Sequence, residues 1–110
     1  MTSPHVIEVG DQNFASEILS CSLPALVDFW GPACGPCKAL EPVIEQLAAA
    51  YQGKLKVGKV NVDVSPKTAI QFAVRNLPTL LLFKDGKVVE QITGRPSFAS
   101  IQKAVTRVLG

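Results

Sequence analysis

The sequence predicts an α/β domain with helices on both faces of a mixed β-sheet, and three observations support this fold class. Patterns typical of strands and of helices alternate along most of the chain. A two-residue turn at Asp85-Gly86 joins the last two predicted strands, and 47% of the 110 residues are hydrophobic while 18% are charged. Alternation requires parallel strands with crossover helices, whereas the short turn requires an antiparallel pair. We therefore expect a single domain over residues 1–110, arranged in three layers.

The first part of the chain is predicted to form a strand, a helix and a second strand. The first strand lies in PHVIEVG, residues 4–10, and the helix lies in DQNFASEILS, residues 11–20, with Asp11 as its N-cap. The run PALVDFW, residues 24–30, is almost entirely apolar. Such a run is typical of a central strand that is covered on both faces.

The middle of the chain carries the strongest helical pattern. From Cys34 to Tyr51 the apolar residues follow the i, i+3, i+4, i+7 spacing of a helix, and we expect Pro42 to kink this helix without ending it. Residues 55–64 alternate in the manner of a strand. A further helix is predicted to begin after them, with Ser65 as N-cap and Pro66 in its first position.

The C-terminal part predicts a hairpin and a last helix. The segment PTLLLFKDGKVVEQIT, residues 78–93, reads as two strands that meet at Asp85-Gly86. Residues 97–109 have apolar side chains at helical spacing. We expect this last helix to bury one face against the sheet.

Composition and charge argue against two classes of partner. The 11 basic and 9 acidic residues give a net charge of +2 without a basic run, so we expect no nucleic-acid binding. No stretch approaches the roughly 20 apolar residues of a membrane span, and the first residues do not resemble an export signal. We therefore expect a cytoplasmic protein with no membrane partner. In that reducing compartment a cysteine pair is more often catalytic or metal-bound than permanently oxidised.

The segment WGPACGPCK, residues 30–38, places Cys34 and Cys37 three positions apart. If a helix begins near Cys34, its sulfur lies among unpaired backbone N–H groups and at the positive end of the helix dipole, which favours the thiolate. Cys37 lies about one turn further along and is expected to be more buried. We therefore expect Cys34 to attack a substrate disulfide and Cys37 to resolve the mixed disulfide. Gly35 permits close approach of another backbone, and Pro36 suits a first helical turn.

Three segments resemble the thioredoxin family: VDFWGPACGPCK at residues 27–38, NLPTLLLFKDGK at 76–87 and TGRPS at 93–97. The resemblance implies the thioredoxin fold, with a central mixed sheet of four or five strands flanked by four helices. It implies a general protein-disulfide reductase that acts in cell redox homeostasis and donates electrons to reductive enzymes. It also implies Cys34 as the nucleophile and Cys37 as the resolving thiol.

The resemblance further implies how the Cys34–Cys37 disulfide is reduced again after each reaction. No cofactor is expected to be bound, and the electrons are expected to come from NADPH through thioredoxin reductase. The expected partners are that reductase and proteins that contain disulfides, and the chain is expected to act as a monomer. Ala33 and Asn76 depart from the family, which commonly has an aromatic residue and a glycine there. These two departures are expected to affect partner choice rather than the chemistry.

Asp28 is the charged residue within the apolar run of the second strand. It could face water at a sheet edge, as most strand carboxylates do, or lie buried, where its pKa would rise toward the range useful for proton transfer. The family assigns the matching aspartate to proton exchange with the resolving thiol, here Cys37. Lys59 matches a family lysine near that aspartate, with an ordinary solvated lysine as the alternative.

The resemblance also implies a docking surface for substrates. It makes the Leu77-Pro78 bond cis, whereas a proline at a strand start is usually trans. The backbone of Leu77 could then pair with an extended substrate segment. Trp30 could equally be a core aromatic. The expected substrate-binding residues are Trp30, Gly35, Pro36, Leu77, Pro78 and Gly94.

Other functions remain open from the residues alone. The same scaffold could serve as an oxidase or isomerase, or as a redox-independent binding module or structural subunit. Cys21 and His5 could join the cysteine pair in a zinc site, but their spacing fits no familiar zinc pattern. We expect Cys21 to be a small half-buried apolar residue and no metal to be bound.

Overall fold

The computed structural model describes residues 4–110, which contain a mixed five-stranded sheet. The strand order is β1-β3-β2-β4-β5. β3 pairs in parallel with β1 and β2, whereas β4 is antiparallel to both β2 and β5. This arrangement confirms the predicted mixture of parallel and antiparallel pairs. The strands are β1 (Val6–Glu8), β2 (Ala25–Trp30), β3 (Lys56–Asn61), β4 (Thr79–Lys84) and β5 (Lys87–Thr93).

Within residues 4–110, four helical segments cover the two faces of the sheet, which confirms the three layers. They are a π-helical segment (Ala15–Leu19), α1 (Gly35–Ala50), α2 (Pro66–Gln71) and α3 (Phe98–Leu109). α1 and α3 pack on one face, where Leu40 and Ile101 join the same buried cluster. The π-helical segment and α2 pack on the other face, where Phe14 and Ala69 join a second cluster.

The strand β2 lies at the centre of the sheet, as its apolar run predicts. Its residues alternate between the two layers: Leu26 packs with α1 and α3, whereas Val27 and Phe29 pack with the opposite layer. Successive side chains on a strand point to opposite faces, so Asp28 lies on the face that α1 covers.

The strand β3 ends at Asn61, so the expectation that it continues to Val64 is wrong. The Asn61 side-chain Oδ1 accepts a hydrogen bond from the backbone N–H of Asp63 at 3.0 Å. The Asn61 carbonyl accepts one from the N–H of Val64 at 3.1 Å. Asparagine commonly bonds the backbone two residues ahead in this way and begins a turn. The alternating sequence pattern therefore continues beyond the end of the strand.

Of the two predicted N-caps, Ser65 occupies the predicted position, whereas the prediction for Asp11 is wrong. The cap position of the π-helical segment is Phe14, not Asp11. The Asp11 carboxylate instead accepts hydrogen bonds from the backbone N–H of Thr68 at 2.8 Å and from its hydroxyl at 2.7 Å, at the start of α2. Ser65 occupies the cap position of α2, but its Oγ accepts from the N–H of Asp11 at 3.2 Å. Asp11 thus caps a helix that lies far from it in sequence.

The remaining boundaries agree with the sequence. α1 continues through Pro42, while the kink expected there stays a prediction. Asp85 and Gly86 have φ values of 54° and 78°, the positive angles that a two-residue hairpin of type I′ requires. α3 begins after Ser97, whose side chain accepts from the N–H of Ser100 in a capping box.

Candidate active site

Cys34 occupies the N-cap of α1, as predicted for the first cysteine. Its backbone is extended, and its Sγ accepts a hydrogen bond from the backbone N–H of Cys37 at 3.2 Å. The segment that leads to it is held by a bond from the N–H of Cys34 to the carbonyl of Gly31 at 3.1 Å. Pro36 lies in the first turn, where its missing N–H leaves no gap in the helix bonds. The sulfur is therefore placed at the positive end of the helix dipole.

Cys34 and Cys37 form a disulfide, with their Cα atoms 5.3 Å apart. Their accessibility differs: Cys34 is half-buried, whereas Cys37 is 3% exposed. An incoming sulfur can therefore reach Cys34 more easily than Cys37. Gly35 between them is exposed, and a Cβ built on it would meet nothing within 4 Å, so another chain can approach there.

Asp28 is buried in the centre of the sheet, with 3% of its surface exposed, so an edge position facing water is excluded. Burial raises its pKa from 3.8 to about 7, the nearby charge of Lys59 lowers it, and the charge of Glu41 raises it further. Its Oδ1 has no hydrogen-bond partner among the residues that the structure describes. A carboxyl with such a pKa exchanges protons near neutrality.

Lys59 and Trp30 lie beside Asp28. Lys59 on β3 pairs in register with Asp28 on β2, and it is half-buried rather than fully solvated. Its Nζ is 5.7 Å from the centroid of the Trp30 ring, within the range of a cation–π contact. Trp30 is half-buried at the end of β2, so it is neither a fully enclosed core residue nor a fully exposed one.

The loop before β4 contains the cis peptide bond Leu77-Pro78, as the resemblance implies. Pro78 is buried and Leu77 half-buried. The Thr79 hydroxyl donates a hydrogen bond to the carbonyl of Asn76, which ties the ends of this loop together. Gly94 follows β5 with a φ of +82°, an angle that favours glycine, and a Cβ there would meet nothing within 4 Å.

A groove of about 380 Å³ runs along the first turns of α1. It brings together three residues expected to bind substrate, Gly35, Pro36 and Pro78, whereas Trp30, Leu77 and Gly94 do not line it. The residues that the sequence analysis missed are Ala39, Leu40, Val43, Arg95 and Pro96. Helical spacing from residue 36 could have placed 39, 40 and 43 on one side of α1. Residues 95 and 96 directly follow Gly94 in the segment TGRPS.

A protein-family model described as Thioredoxin matches residues 5–107. The chain belongs to the thioredoxin family. It is 48% identical over 103 residues to Thioredoxin 2 of Chlorobaculum tepidum, a match that covers 94% of each chain. It is 48% identical over 86 residues to a thioredoxin of Pseudomonas aeruginosa, covering 78% of this chain and 80% of that one. Thioredoxin 1 of a Nostoc species is 46% identical over 87 residues, covering 79% and 81%.

Family membership and the Cys34–Cys37 disulfide establish the activity as dithiol–disulfide exchange by a protein-disulfide oxidoreductase. The pair is the redox-active centre of this thioredoxin-family chain. Nothing in the site or in the relatives favours a redox-independent binding role. The mixed five-stranded sheet with four helical segments is the thioredoxin fold that the sequence predicts.

The third cysteine of this thioredoxin-family chain lies away from the pair. Cys21 is a free thiol, half-buried just after the π-helical segment. Within residues 4–110, no three His, Cys, Asp or Glu side chains come close enough together to hold a metal ion. Over the same residues, no helix combines the length and apolar character needed to cross a membrane.

Proposed function

We propose that this chain is a general reductant of protein disulfides, in which Cys34 attacks and Cys37 resolves. The observation that carries this assignment is the position of Cys34 Sγ at the N-terminus of α1, where it is more accessible than Cys37. In the reduced chain, the N–H groups of the first turn and the helix dipole stabilise a Cys34 thiolate. A thiolate, not a thiol, is the nucleophile in disulfide exchange.

The reaction runs in two exchanges. The Cys34 thiolate attacks one sulfur of the substrate disulfide, and that bond breaks and releases one substrate thiolate, which takes up a proton. The Cys37 thiol then loses its proton and attacks Cys34 Sγ. The mixed disulfide breaks, the second substrate sulfur leaves and is protonated, and the Cys34–Cys37 disulfide forms. Two electrons have passed from the chain to the substrate.

Asp28 is the group we assign to accept the proton from Cys37 in the second exchange. Two features support this role: Asp28 lies on the face of the sheet that α1 covers, and its pKa of about 7 matches a proton acceptor at neutral pH. Lys59, paired with Asp28 across β2 and β3, favours the carboxylate form of Asp28. Lys59 therefore tunes the pKa of the proposed proton acceptor.

The docking surface surrounds the disulfide. Pro78 and Pro36 line the groove beside α1. We expect the backbone of Leu77, the residue before Pro78, to pair with an extended substrate strand. Gly35 and Gly94 both leave open space where a side chain would stand. Trp30 is half-buried at the end of β2.

We propose a cellular setting like that expected of a thioredoxin-family reductant. The chain acts as a monomeric single domain, residues 1–110, in the cytoplasm and needs no bound cofactor. NADPH supplies the electrons through a thioredoxin reductase, and the reduced chain passes them to disulfide-containing proteins and reductive enzymes. Reduction by NADPH and a purified reductase, followed by free-thiol counting, tests this supply.

The order of attack is tested with single cysteine variants. In Cys37→Ser the first exchange proceeds and the second cannot, so substrates such as insulin should accumulate as mixed disulfides through Cys34. Cys34→Ser is the matched control and should trap nothing. Mass spectrometry of the trapped species identifies the attached cysteine. Trapping through Cys37, with none through Cys34, would reverse the roles and contradict this proposal.

A further inference from the structure

The groove along α1 carries one formal charge. Among the described residues that line it, Arg95 supplies the charge, and the others are Gly35, Pro36, Ala39, Leu40, Val43, Pro78 and Pro96, none of which has a polar side chain. Arg95 is exposed, and it directly follows Gly94 at the end of β5. A guanidinium at the edge of an apolar groove attracts a ligand that pairs apolar contacts with one negative group.

The charge of Arg95 is not neutralised by any residue that the structure describes. Among residues 4–110, no carboxylate lies within ion-pairing distance of its guanidinium, and no acidic residue lines the groove. The acidic residue of α1 nearest to Cys34, Glu41, is half-buried, and its charge acts on Asp28 beneath the helix. Among the described residues, the lining of the groove therefore has one basic side chain, Arg95, and no acidic one.

The length of the groove limits where a substrate carboxylate can stand. Its α1 lining extends from Gly35 to Val43, and at about 1.5 Å per residue this corresponds to about 12 Å of helix. An extended chain rises by about 3.3 Å per residue, so about four substrate residues fit alongside. With the substrate sulfur at Cys34, a carboxylate that reaches Arg95 belongs to a residue within about four positions of the reacting cysteine.

We propose that Arg95 is a specificity residue that favours disulfide substrates carrying Asp or Glu within about four residues of the attacked cysteine, on an otherwise apolar extended segment. This inference rests on the proposed function, because it assumes that substrates bind beside Cys34. Arg95 acts on docking and takes no part in the exchange of sulfurs. Exposed ion pairs are weak, so the expected preference is modest, about two- to fivefold in rate.

Two synthetic peptides with an internal disulfide test the inference. The two peptides are identical except at one position, which lies two residues from one of the cysteines. One peptide has Glu at that position and the other has Lys. The second-order rate constant for oxidation of the reduced chain is measured for each peptide at low salt. Each rate is divided by the rate of the same peptide with dithiothreitol, which removes differences in intrinsic reactivity. The wild-type chain should prefer the Glu peptide about two- to fivefold, and salt at about 1 M should remove the preference.

Variants assign the preference to Arg95. Arg95→Gln should abolish it, and Arg95→Glu should invert it. Lys87→Glu is the matched control, since it makes the same charge change at the opposite end of β5 and should keep the preference. Equal wild-type rates on both peptides, or a preference that survives in Arg95→Glu, would overturn this inference while leaving the proposed function intact. Failure to reduce either peptide would instead overturn the proposed function.

Discussion

The backbone N–H of Cys37 donates a hydrogen bond to Sγ of Cys34 across 3.2 Å. The sulfur thus stands where the side-chain oxygen of a Ser or Asp N-cap would otherwise stand. We expect the same donor and the same helix end to face Cys34 once the disulfide is reduced. Cys34 is therefore both the N-cap of α1 and the proposed nucleophile of the reaction.

The first prediction concerns Asp28 and stability. Burial raises its pKa from 3.8 to about 7, so between those pH values the folded chain holds a proton that the unfolded chain has released. The free energy of unfolding of the oxidised chain should therefore fall as the pH rises from about 4 to about 7. Asp28→Asn should remove this dependence and be more stable at pH 8 by about 2–4 kcal/mol, measured by urea unfolding.

Asp85→Asn is the control for this prediction, because Asp85 is exposed in the hairpin turn. It makes the same change of carboxylate to amide, and it should shift the free energy of unfolding by less than about 0.5 kcal/mol. If the difference in stability between the wild type and Asp28→Asn did not change between pH 4 and pH 7, the burial of an ionisable Asp28 would be contradicted.

The second prediction concerns Lys59 as the electrostatic partner of Asp28. Because the positive charge of Lys59 lowers the pKa of Asp28, Lys59→Gln should raise that pKa. Carbon NMR of the Asp28 carboxyl group measures the titration directly. Lys54→Gln makes the same charge change at an exposed position and should leave the pKa of Asp28 unchanged. An unchanged or lowered Asp28 pKa in Lys59→Gln would show that the registered pair is not coupled.

The third prediction concerns proton transfer in the second exchange. Asp28→Asn has no group to accept the Cys37 proton, so release of the substrate from the mixed disulfide should slow by about tenfold or more near pH 7. Rapid acid quenching and mass spectrometry measure this release. The wild-type rate should also rise with pH around 7, and the variant should lack that rise. A variant whose pH profile follows the wild type would limit Asp28 to a structural role.

The fourth prediction concerns a positive backbone angle just after α2. Ala73 is exposed with a φ of 56°, a conformation that glycine adopts without the clash of a Cβ. Ala73→Gly should therefore stabilise the chain by about 1 kcal/mol in urea unfolding. Asp85 has a similar φ of 54°, but aspartate tolerates this region better, so Asp85→Gly should gain less. A loss of stability in Ala73→Gly would contradict the assigned conformation.

The order of the strands and helices could be predicted because each element depends mainly on the residues within it. The unbroken apolar run of β2 reflects its burial on both faces, and the turn at Asp85-Gly86 reflects angles that few residues accept. The N-terminus of α1 at Cys34 could be inferred because the apolar spacing begins there. Pairing of Cys34 with Cys37 follows from the same short segment.

The features that could not be predicted from local sequence patterns depend on contacts between distant segments. Asp11 looks like a local helix cap, but its hydrogen bonds go to Thr68, and no pattern near residue 11 indicates this. The cis peptide bond before Pro78 was predicted from the family resemblance alone, because no local pattern indicates it. Arg95 was missed because its significance depends on the groove, which exists only once β5 has brought it beside α1.

The most direct test of the account is the titration of Cys34 in the reduced chain, followed by the ultraviolet absorbance of the thiolate. Cys21→Ser supplies a background without the third thiol, and Cys34→Ser on that background isolates the contribution of Cys37. We predict that Cys34 ionises well below the ordinary cysteine pKa of about 8.5, because the N-terminus of α1 stabilises its thiolate. Ionisation of Cys34 at or above that ordinary value would contradict the central claim.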